Sequence, residues 1–282
     1  MKYLVIDGNY LGHRARFSHQ DLSYKGQDTG VIFGFLSEVI NLCETFRTNK
    51  ICFIWDSRES KRKEIFPEYK EKRKKRAATQ EEKEKLFSAY DQMSLLRTEI
   101  LPEIGFQDNF MREGFEGDDL MAKLVRDKKY SREEFILVTS DEDMYQVLDD
   151  CDIYKPGKGK YTYKDLREEY NVSPKEWELV KAIGGCKSDE VPGIPGIGEK
   201  TISKWLRGEL GEKTVAYKKI ASKEYTDIIE RNKKLVILPF EGTKKVKLKG
   251  NNFSPKKFKK VCKKYGMRSF IDERMDEWER LK

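Results

Sequence analysis

The chain has 282 residues, of which 38% are apolar and 38% charged, and its formal net charge is +8. This length allows one large domain or two modest ones, and the basic balance fits either a polyanionic partner or simple solubility. Five cysteines without a C-x-x-C pair argue against a disulfide framework or a zinc knuckle, and no apolar run reaches the ~20 residues of a membrane span, so we expect a cytoplasmic protein.

Three short apolar runs are each followed by an aspartate. The runs and their acids are 3–6 with Asp7, 51–55 with Asp56, and 135–138 with Asp141. Helical periodicity over 29–46 lies between the first two runs, and this alternation predicts a mostly parallel α/β sheet. Ligands bind at the carboxyl ends of such strands, where converging carboxylates repel one another unless a cation binds them. A single aspartate there is usually only a turn former or a helix N-cap.

The most basic stretch of the chain, residues 58–76, follows the second predicted strand. It surrounds Phe66 and Tyr69 with lysines and arginines, and such a combination offers charges for phosphates and rings for base stacking. A solvated charged helix or a flexible loop is the alternative interpretation. We favour nucleic-acid binding, although this segment alone does not prove it.

Two dense acidic clusters follow. Glu116, Asp118 and Asp119 open a predicted helix, where capping and the helix dipole account for one or two acids but less well for three. Asp141 and Asp143 follow the third strand. In extended backbone both carboxylates would point towards the same ion, and an N-cap with first-turn acids is an equally good alternative.

The chemistry of these clusters is that of hard oxygen ligands. Mg²⁺ and Mn²⁺ prefer carboxylates and water, and only two histidines are available for zinc or for a catalytic triad. Two such ions about 3.5–4 Å apart can activate a water and stabilise the leaving oxygen of a phosphodiester. The candidate ligands are Asp7, Asp56, Glu116, Asp118, Asp119, Asp141 and Asp143.

A Gly/Pro-rich loop, residues 193–201, joins two predicted helices in the second part of the chain. It is not a nucleotide-binding P-loop, because Glu199 separates Gly198 from Lys200. Glycines allow the backbone to approach a DNA phosphate, and the following helix N-terminus binds it. A plain helix–helix turn is the alternative. The rest of the chain is predicted to be helical, with a short strand near 244–248.

Six segments occur in an order that resembles the flap endonuclease and 5′–3′ exonuclease family, in its free-standing phage or bacterial form. They are VIDGNYLGHRAR, FIWDSRES, FPEYKEKR, EGFEGDD, VTSDEDMYQVL and SDEVPGIPGIGEKT. The resemblance implies a PIN-like fold, with a central, mostly parallel sheet flanked by helices and a helical arch over about 58–100. It further implies a nuclease domain at 1–180 and a helix–hairpin–helix subdomain, which binds DNA, at 181–282.

The resemblance also implies site residues. First-metal positions would be Asp7, Asp56, Glu116, Asp118 and Asp119, and positions near the second metal would be Asp141, Asp143 and Asp189. Lys70 and Arg73 would contact the scissile phosphate, Tyr69 would stack near the entering strand, and Arg14 would contact a phosphate. Further nucleic-acid contacts would come from Lys61, Arg62, Lys72, Lys74, Gly196, Gly198, Lys200 and Thr201.

The implied function is a structure-specific 5′ nuclease of DNA replication or repair, with RNase H activity on primers as a further expectation. Two Mg²⁺ ions, replaceable by Mn²⁺, would serve catalysis, and K⁺ would bind at the hairpin. The expected substrates are branched or 5′-ended DNA, including flaps and RNA primers on DNA. We expect a monomer that works beside a polymerase or a single-strand-binding protein.

One departure from the family pattern concerns the second metal. Cys186 stands where an aspartate is expected, and Glu190 stands where the family often has asparagine. Sulfur is a soft ligand that suits Mg²⁺ poorly. The second site is then weakened, rebuilt around Asp189 and Glu190, or tuned towards Mn²⁺. The alternative functions are a catalytically weakened, structure-specific DNA-binding protein and an RNA-cutting nuclease of the PIN type.

Overall fold

Ten strands are present in the computed structural model, which describes residues 2–19, 22–72 and 79–282. They are β1 (Tyr3–Asp7), β2 (Ser23–Tyr24), β3 (Gln27–Asp28), β4 (Ile51–Trp55), β5 (Asn109–Met111), β6 (Phe135–Val138), β7 (Asp152–Lys155), β8 (Gly159–Tyr161), β9 (Gly185–Cys186) and β10 (Val191–Pro192). Six of them form one sheet in the order β5-β4-β1-β6-β7-β8. The pairs from β5 to β7 are parallel and only β8 is antiparallel, so the predicted mostly parallel sheet is confirmed.

Fourteen α-helices lie within the described residues. They are α1 (Gly8–Ser18), α2 (Gly30–Phe46), α3 (Arg62–Ile65), α4 (Gln80–Leu95), α5 (Leu101–Ile104), α6 (Gly117–Val125), α7 (Tyr163–Tyr170), α8 (Pro174–Gly184), α9 (Glu199–Leu206), α10 (Val215–Ile220), α11 (Thr226–Val236), α12 (Pro255–Tyr265), α13 (Arg268–Asp272) and α14 (Met275–Glu279). A π-helical turn, Leu96–Ile100, joins α4 to α5. None of the helices in the described ranges is long and apolar enough to cross a membrane.

The central strands are buried on both faces, which explains why their sequences are continuous apolar runs rather than alternating ones. All five residues of β4 and all four of β6 are buried. Leu4 and Ile6 of β1 face a core built with α1 and α2, whereas Val5 faces a second core built with α6 and α8. The sheet is therefore the middle layer of three, and its strand ends are the part left open to a ligand.

The C-terminal helices complete the first core. Phe258 of α12, Phe270 of α13 and Trp278 of α14 pack with Leu4 and Ile6, and the Phe258 and Trp278 rings stack with centroids 4.1 Å apart. The predicted boundary between residues 180 and 181 also cuts through α8. The last helices share a core with the first strand, so the two predicted parts pack together, and the division itself stays a prediction.

The strand predicted near 244–248 does not form, so this prediction is wrong. This segment has no strand pairing and runs past the edge strand β5. It ends where the backbone N–H groups of Lys249 and Gly250 donate to the buried carboxylate of Asp108, at 2.6 and 3.0 Å. The lysines of this segment therefore cover a sheet edge and protect it from pairing with another chain.

The basic segment predicted as an arch divides into two limbs. The first limb, residues 62–72, packs against α11 and the 185–190 turn, and the second, α4, packs against α1 and α2. Gln92 of α4 accepts hydrogen bonds from the backbone of α2, which fixes this helix on the sheet layer. Residues 73–78 lie outside the described residues, so the arch over 58–100 stays a prediction.

Candidate active site

An acidic cleft of about 490 Å³ opens at the carboxyl ends of β1, β4 and β6. Its charged and sulfur-containing lining consists of Asp7, Asp56, Asp118, Asp141, Glu142, Asp143, Lys70, Lys181 and Cys186. The cause is the sheet register, since β1 lies between β4 and β6 and all three run parallel. The predicted convergence of three strand-end aspartates is confirmed.

Backbone amides and a hydroxyl hold the first two aspartates. Asp7 caps α1, where its Oδ1 accepts from Tyr10 N at 2.9 Å and its Oδ2 from the Thr139 hydroxyl at 3.1 Å. Asp56 Oδ1 accepts from Gly117 N, at the start of α6, at 2.7 Å. A Cβ at Gly117 would come 3.2 Å from the same oxygen, so the close approach favours glycine. These contacts fix two carboxylates side by side before any ligand binds.

Repulsion among these carboxylates is evident from their pKa values. Desolvation and then Asp56 raise the pKa of Asp7 to about 7, and desolvation and then Asp143 raise that of Asp141 to about 6. Desolvation, Asp141 and Asp7 hold the pKa of Asp118 well above its usual value. A divalent cation would relieve this repulsion, and the oxygen donors fit a hard ion such as Mg²⁺.

The Asp141 and Asp143 pair adopts one of the two local geometries that the sequence leaves open. Asp141 caps a 3-10 helix, Glu142–Val147, and its Oδ1 accepts from Asp143 N at 2.8 Å. The extended backbone is therefore wrong, and the N-cap alternative is the observed local structure. Both carboxylates nevertheless line the cleft, because the helical turn itself lies at the strand end.

A second set of contacts ties the basic segment to the acids. The Tyr69 hydroxyl lies 3.0 Å from Glu116 Oε2 and 2.9 Å from Asp189 Oδ2, and Lys70 Nζ lies 2.7 Å from Glu116 Oε2. Burial would raise the pKa of Glu116, but attraction from Lys70 and Arg62 lowers it overall. Tyr69 is only 2% exposed, and the stacking on a nucleotide predicted for it stays a prediction.

Asp119 and Arg62 form a buried ion pair. The guanidinium donates to both Asp119 oxygens at 2.7 Å, and Phe240 N and Glu116 N fill the remaining acceptor positions. Asp119 is 0% and Arg62 2% exposed. Neither side chain reaches the cleft or solvent, and the metal and DNA roles predicted for these two residues stay predictions. The pair joins α3, α6 and the chain after α11.

A mixed group of donors lies at the far side of the cleft. Carboxylate oxygens of Asp143 and Asp189 and the sulfur of Cys186 all lie within 4.8 Å of one another. Burial, followed by Asp143 and Asp189, raises the pKa of the Cys186 thiol to about 12. Lys181 Nζ of α8 contacts Asp143 Oδ1 at 2.8 Å. We had not predicted Lys181, because one lysine on an amphipathic helix carries no distinctive signal.

Glu190 contacts the first limb of the basic segment. Its two carboxylate oxygens both accept from Lys72 N at 2.9 Å, so it holds the end of the first limb. Its backbone lies in the left-handed region, with a φ of 63°. The three alternatives for the second site, including one rebuilt around Asp189 and Glu190, stay predictions.

The remaining predicted contacts have different surroundings. Lys61, Lys72 and Arg14 are all exposed. Arg14 lies outside the cleft lining, close to the turn at Gly157. Arg73 and Lys74 lie outside the described residues. The phosphate contact predicted for Arg14 therefore stays a prediction.

The hairpin between α8 and α9 presents open backbone. Gly196 has a φ of +78°, Gly198 caps α9, and a Cβ at either position would meet nothing within 4 Å. Lys200 is exposed and Thr201 half-buried in the first turn of α9. The geometry permits a phosphate to approach, as predicted from the glycines.

Three further residues at the cleft were missed by the sequence analysis. Asn9 Oδ1 accepts from Asp56 N at 2.9 Å, which helps to fix the second strand end. Tyr90 of α4 is 46% exposed at the cleft and packs edge-on against His13, with ring centroids 5.5 Å apart. Tyr90 lies 26 residues before Glu116, the nearest predicted metal ligand in the sequence, so only the helix packing brings it here.

The sequence matches a family model described as the 5′–3′ exonuclease, N-terminal resolvase-like domain, over residues 2–171. A 5′–3′ exonuclease of Bacillus subtilis is 32% identical over 218 residues, which cover 73% of this chain and 70% of that protein. DNA polymerase I of Mycobacterium tuberculosis is 32% identical over 213 residues, covering 72% of this chain. The match spans only 22% of the polymerase.

The fold is also similar to that of a solved phage nuclease. A bacteriophage T5 flap endonuclease, crystallised with DNA and metal ions, superimposes with a TM-score of 0.68 and 24% identity. The similarity covers 85% of this chain and 90% of the phage protein. It establishes a shared fold, including the central sheet and the helices on both of its faces.

The buried ion pair yields a stability prediction. Arg62→Ala should lower the free energy of unfolding by about 3–5 kcal/mol, because it leaves Asp119 buried without its partner. The neighbouring exposed Lys61→Ala should change it by less than about 0.5 kcal/mol. Urea unfolding of both variants measures the difference, and similar small losses would contradict a structural role for Arg62.

The raised pKa values yield a prediction about pH and metal. Because the folded state binds protons more tightly at Asp7 and Asp141, stability should fall as pH rises from about 4 to about 7 without metal. At pH 7.5, Mg²⁺ or Mn²⁺ at about 100 times its dissociation constant should raise the melting temperature by roughly 5–10 °C.

Asp118→Asn separates this effect from nonspecific ion binding. Removing one charge should raise the melting temperature of the metal-free protein and reduce the metal-induced rise, whereas exposed Asp149→Asn should do neither. Thermal melting followed by circular dichroism gives both quantities. An unchanged metal response in Asp118→Asn would show that the cation binds elsewhere.

Proposed function

Because the chain belongs to the 5′–3′ exonuclease family, we propose that it is a metal-dependent, structure-specific 5′ nuclease. It would cut flaps and 5′-ended DNA, leaving a 5′-phosphate and a 3′-hydroxyl. The observation that carries the proposal is the convergence of Asp7, Asp56, Asp118 and Asp141 at one sheet edge, beside Lys70. A bound cation would relieve the repulsion among carboxylates kept this close.

The residues present fit a divalent ion at the first position. Asp7, Asp56 and Asp118 would hold it, with Mg²⁺ as the expected ion and Mn²⁺ as a substitute. Divalent ions in such a site activate water and stabilise the leaving oxygen of a phosphodiester. Asp141 and Asp143 border a second position, and Asn9, Tyr10 and Thr139 keep the first carboxylates in place.

Lys70 is the cationic side chain best placed to act on the substrate. Its ammonium lies 2.7 Å from Glu116 and 3.6 Å from Asp189, and it lines the cleft. A phosphate entering the cleft would accept hydrogen bonds from this ammonium. Those hydrogen bonds would stabilise the negative charge that develops in the transition state. Tyr69 and Glu116 would position this ammonium, and Arg73 would act beside it from the arch.

The DNA would be held at two places. The backbone at Gly196 and Gly198, with Lys200 and Thr201, would bind phosphates of the duplex as a helix–hairpin–helix element, and hairpin carbonyls would bind K⁺. A 5′ single strand would pass the arch, with Lys61, Lys72 and Lys74 on its backbone. The exposed Tyr90 ring would stack on a base beside the scissile phosphate, whereas the Tyr69 ring is buried.

RNA primers on DNA are a second proposed substrate, and the protein would act as a monomer during replication or repair beside a polymerase. One observation favours a different function. Cys186 in the second group of donors suits Mg²⁺ poorly, as expected of a structure-specific DNA-binding protein with weakened catalysis. The retained repulsion among the other acids favours the enzyme.

The test is cleavage of a 5′-labelled flap with Mg²⁺ or Mn²⁺ by the full chain and by Asp141→Asn. Wild type should cut near the junction, and the variant should lose activity by about 10²-fold or more while it keeps its DNA affinity. Gel-shift titration of the same flap supplies the affinity. Intact flap binding without cutting by the wild type, in either metal, would favour the DNA-binding alternative.

Two neighbouring lysines serve as a matched pair in the same assay. Lys70→Ala should slow single-turnover cleavage by about 10²-fold, close to the effect of losing one donor to a developing charge, with a smaller loss of binding. Lys72→Ala, which removes an exposed phosphate contact, should mainly weaken binding. Equal losses of rate and affinity in Lys70→Ala would make that residue an ordinary phosphate contact.

A further inference from the structure

The two halves of the cleft offer chemically different donors. Asp7, Asp56 and Asp118 supply oxygen alone. The far side combines the oxygens of Asp143 and Asp189 with the sulfur of Cys186, all within 4.8 Å of one another. The cleft therefore contains a carboxylate part and a mixed sulfur and carboxylate part.

The spacing of the mixed donors suits a small tetrahedral ion. Zinc lies about 2.3 Å from a thiolate sulfur and about 2.0 Å from a carboxylate oxygen, so these two donors lie roughly 3.5 Å apart. Cys186 Sγ is 3.8 Å from Asp143 Oδ2. The observed separation of these two atoms exceeds that spacing by only about 0.3 Å.

The position of the sulfur is fixed by the backbone around it. Cys186 lies in β9 and pairs with Val191 of β10, and its side chain is 7% exposed. The preceding Gly185 packs so tightly that a Cβ there would lie 2.4 Å from Gly193 N. Ser188 Oγ lies 3.0 Å from the sulfur. A thiol held this firmly next to two carboxylates is preorganised for a metal.

Mg²⁺ is poorly suited to this set of donors. It demands octahedral oxygen ligands and gives up its water reluctantly, whereas a thiolate is soft and favours Zn²⁺ and related transition ions. An aspartate in place of Cys186 would remove this preference. The substitution therefore changes the kind of metal and does not simply delete a ligand.

We propose that Asp143, Cys186 and Asp189 form a site for a borderline divalent transition ion, with Zn²⁺ as the type, that discriminates against Mg²⁺. The thiol proton passes to solvent as the sulfur–metal bond forms. The cleft would then hold two different ions, a hard one near Asp7 and a softer one near Cys186. Any role of these two ions in catalysis rests on the proposed nuclease function, whereas the binding of a metal at Cys186 does not.

Co²⁺ is the probe, because charge transfer from a thiolate to Co²⁺ gives intense near-ultraviolet absorption that carboxylate ligation lacks. The full chain is titrated with Co²⁺ in a large excess of Mg²⁺. The band should appear in wild type and in Cys43→Ala, which removes a buried thiol of α2, and be absent in Cys186→Ser. Loss of an outer-shell partner lowers metal affinity roughly tenfold or more. The Co²⁺ affinity of Cys186→Ser, which loses a direct ligand, should therefore fall by at least roughly tenfold.

Cys186→Asp is the second variant, and it keeps the test informative if the serine variant is unstable. It should bind Co²⁺ without the band and release it to excess Mg²⁺, whereas wild type should retain Co²⁺. A wild-type spectrum without the band, a band that persists in Cys186→Ser, or displacement by Mg²⁺ from wild type as readily as from Cys186→Asp would overturn the proposal.

Flap cleavage with the same preparations separates this inference from the proposed function. A protein that shows the thiolate band but cuts no flap with any metal retains the metal site and refutes the nuclease. Full cleavage with Mg²⁺ alone, by a protein without the band, retains the nuclease and refutes the mixed site.

Discussion

Electrostatic repulsion at one edge of the sheet is the constraint on which this molecule depends. Three parallel strands end side by side, and each delivers an aspartate to the same cleft, where Asp118 adds a fourth carboxylate. Desolvation and mutual repulsion raise the pKa values of Asp7, Asp118 and Asp141. Folding must therefore supply free energy to hold these groups together, and a bound cation would return it as affinity.

The surrounding structure fixes the acids through contacts behind and beside the cleft. The Arg62–Asp119 pair joins three segments in a region closed to solvent, and Tyr69 and Lys70 satisfy Glu116 from the other side. The C-terminal helices close the core beneath the strands. Neighbouring residues of the basic segment thus have different surroundings. Arg62 and Tyr69 are buried, whereas Lys70 lines the cleft.

Sequence patterns predicted the strand ends well because a buried parallel strand is a short local signal. The convergence of Asp7, Asp56 and Asp141 follows from strand direction alone. By contrast, a run of lysines and arginines has the same pattern whether or not one guanidinium is buried. The sequence therefore predicts a nucleic-acid contact for Arg62, whose side chain the structure buries. Tyr90 and the C-terminal helices reach their places through tertiary packing, which no local pattern encodes.

The most direct measurement of the central claim is anomalous diffraction from crystals grown with Mn²⁺. The repulsion account predicts an ion bonded to Asp7, Asp56 and Asp118, in the middle of the carboxylates whose pKa values are raised. A well-ordered cleft without an ion there, at a Mn²⁺ concentration that raises the melting temperature, would contradict it. The cation would then stabilise the protein from another site, and the acids would need a different explanation.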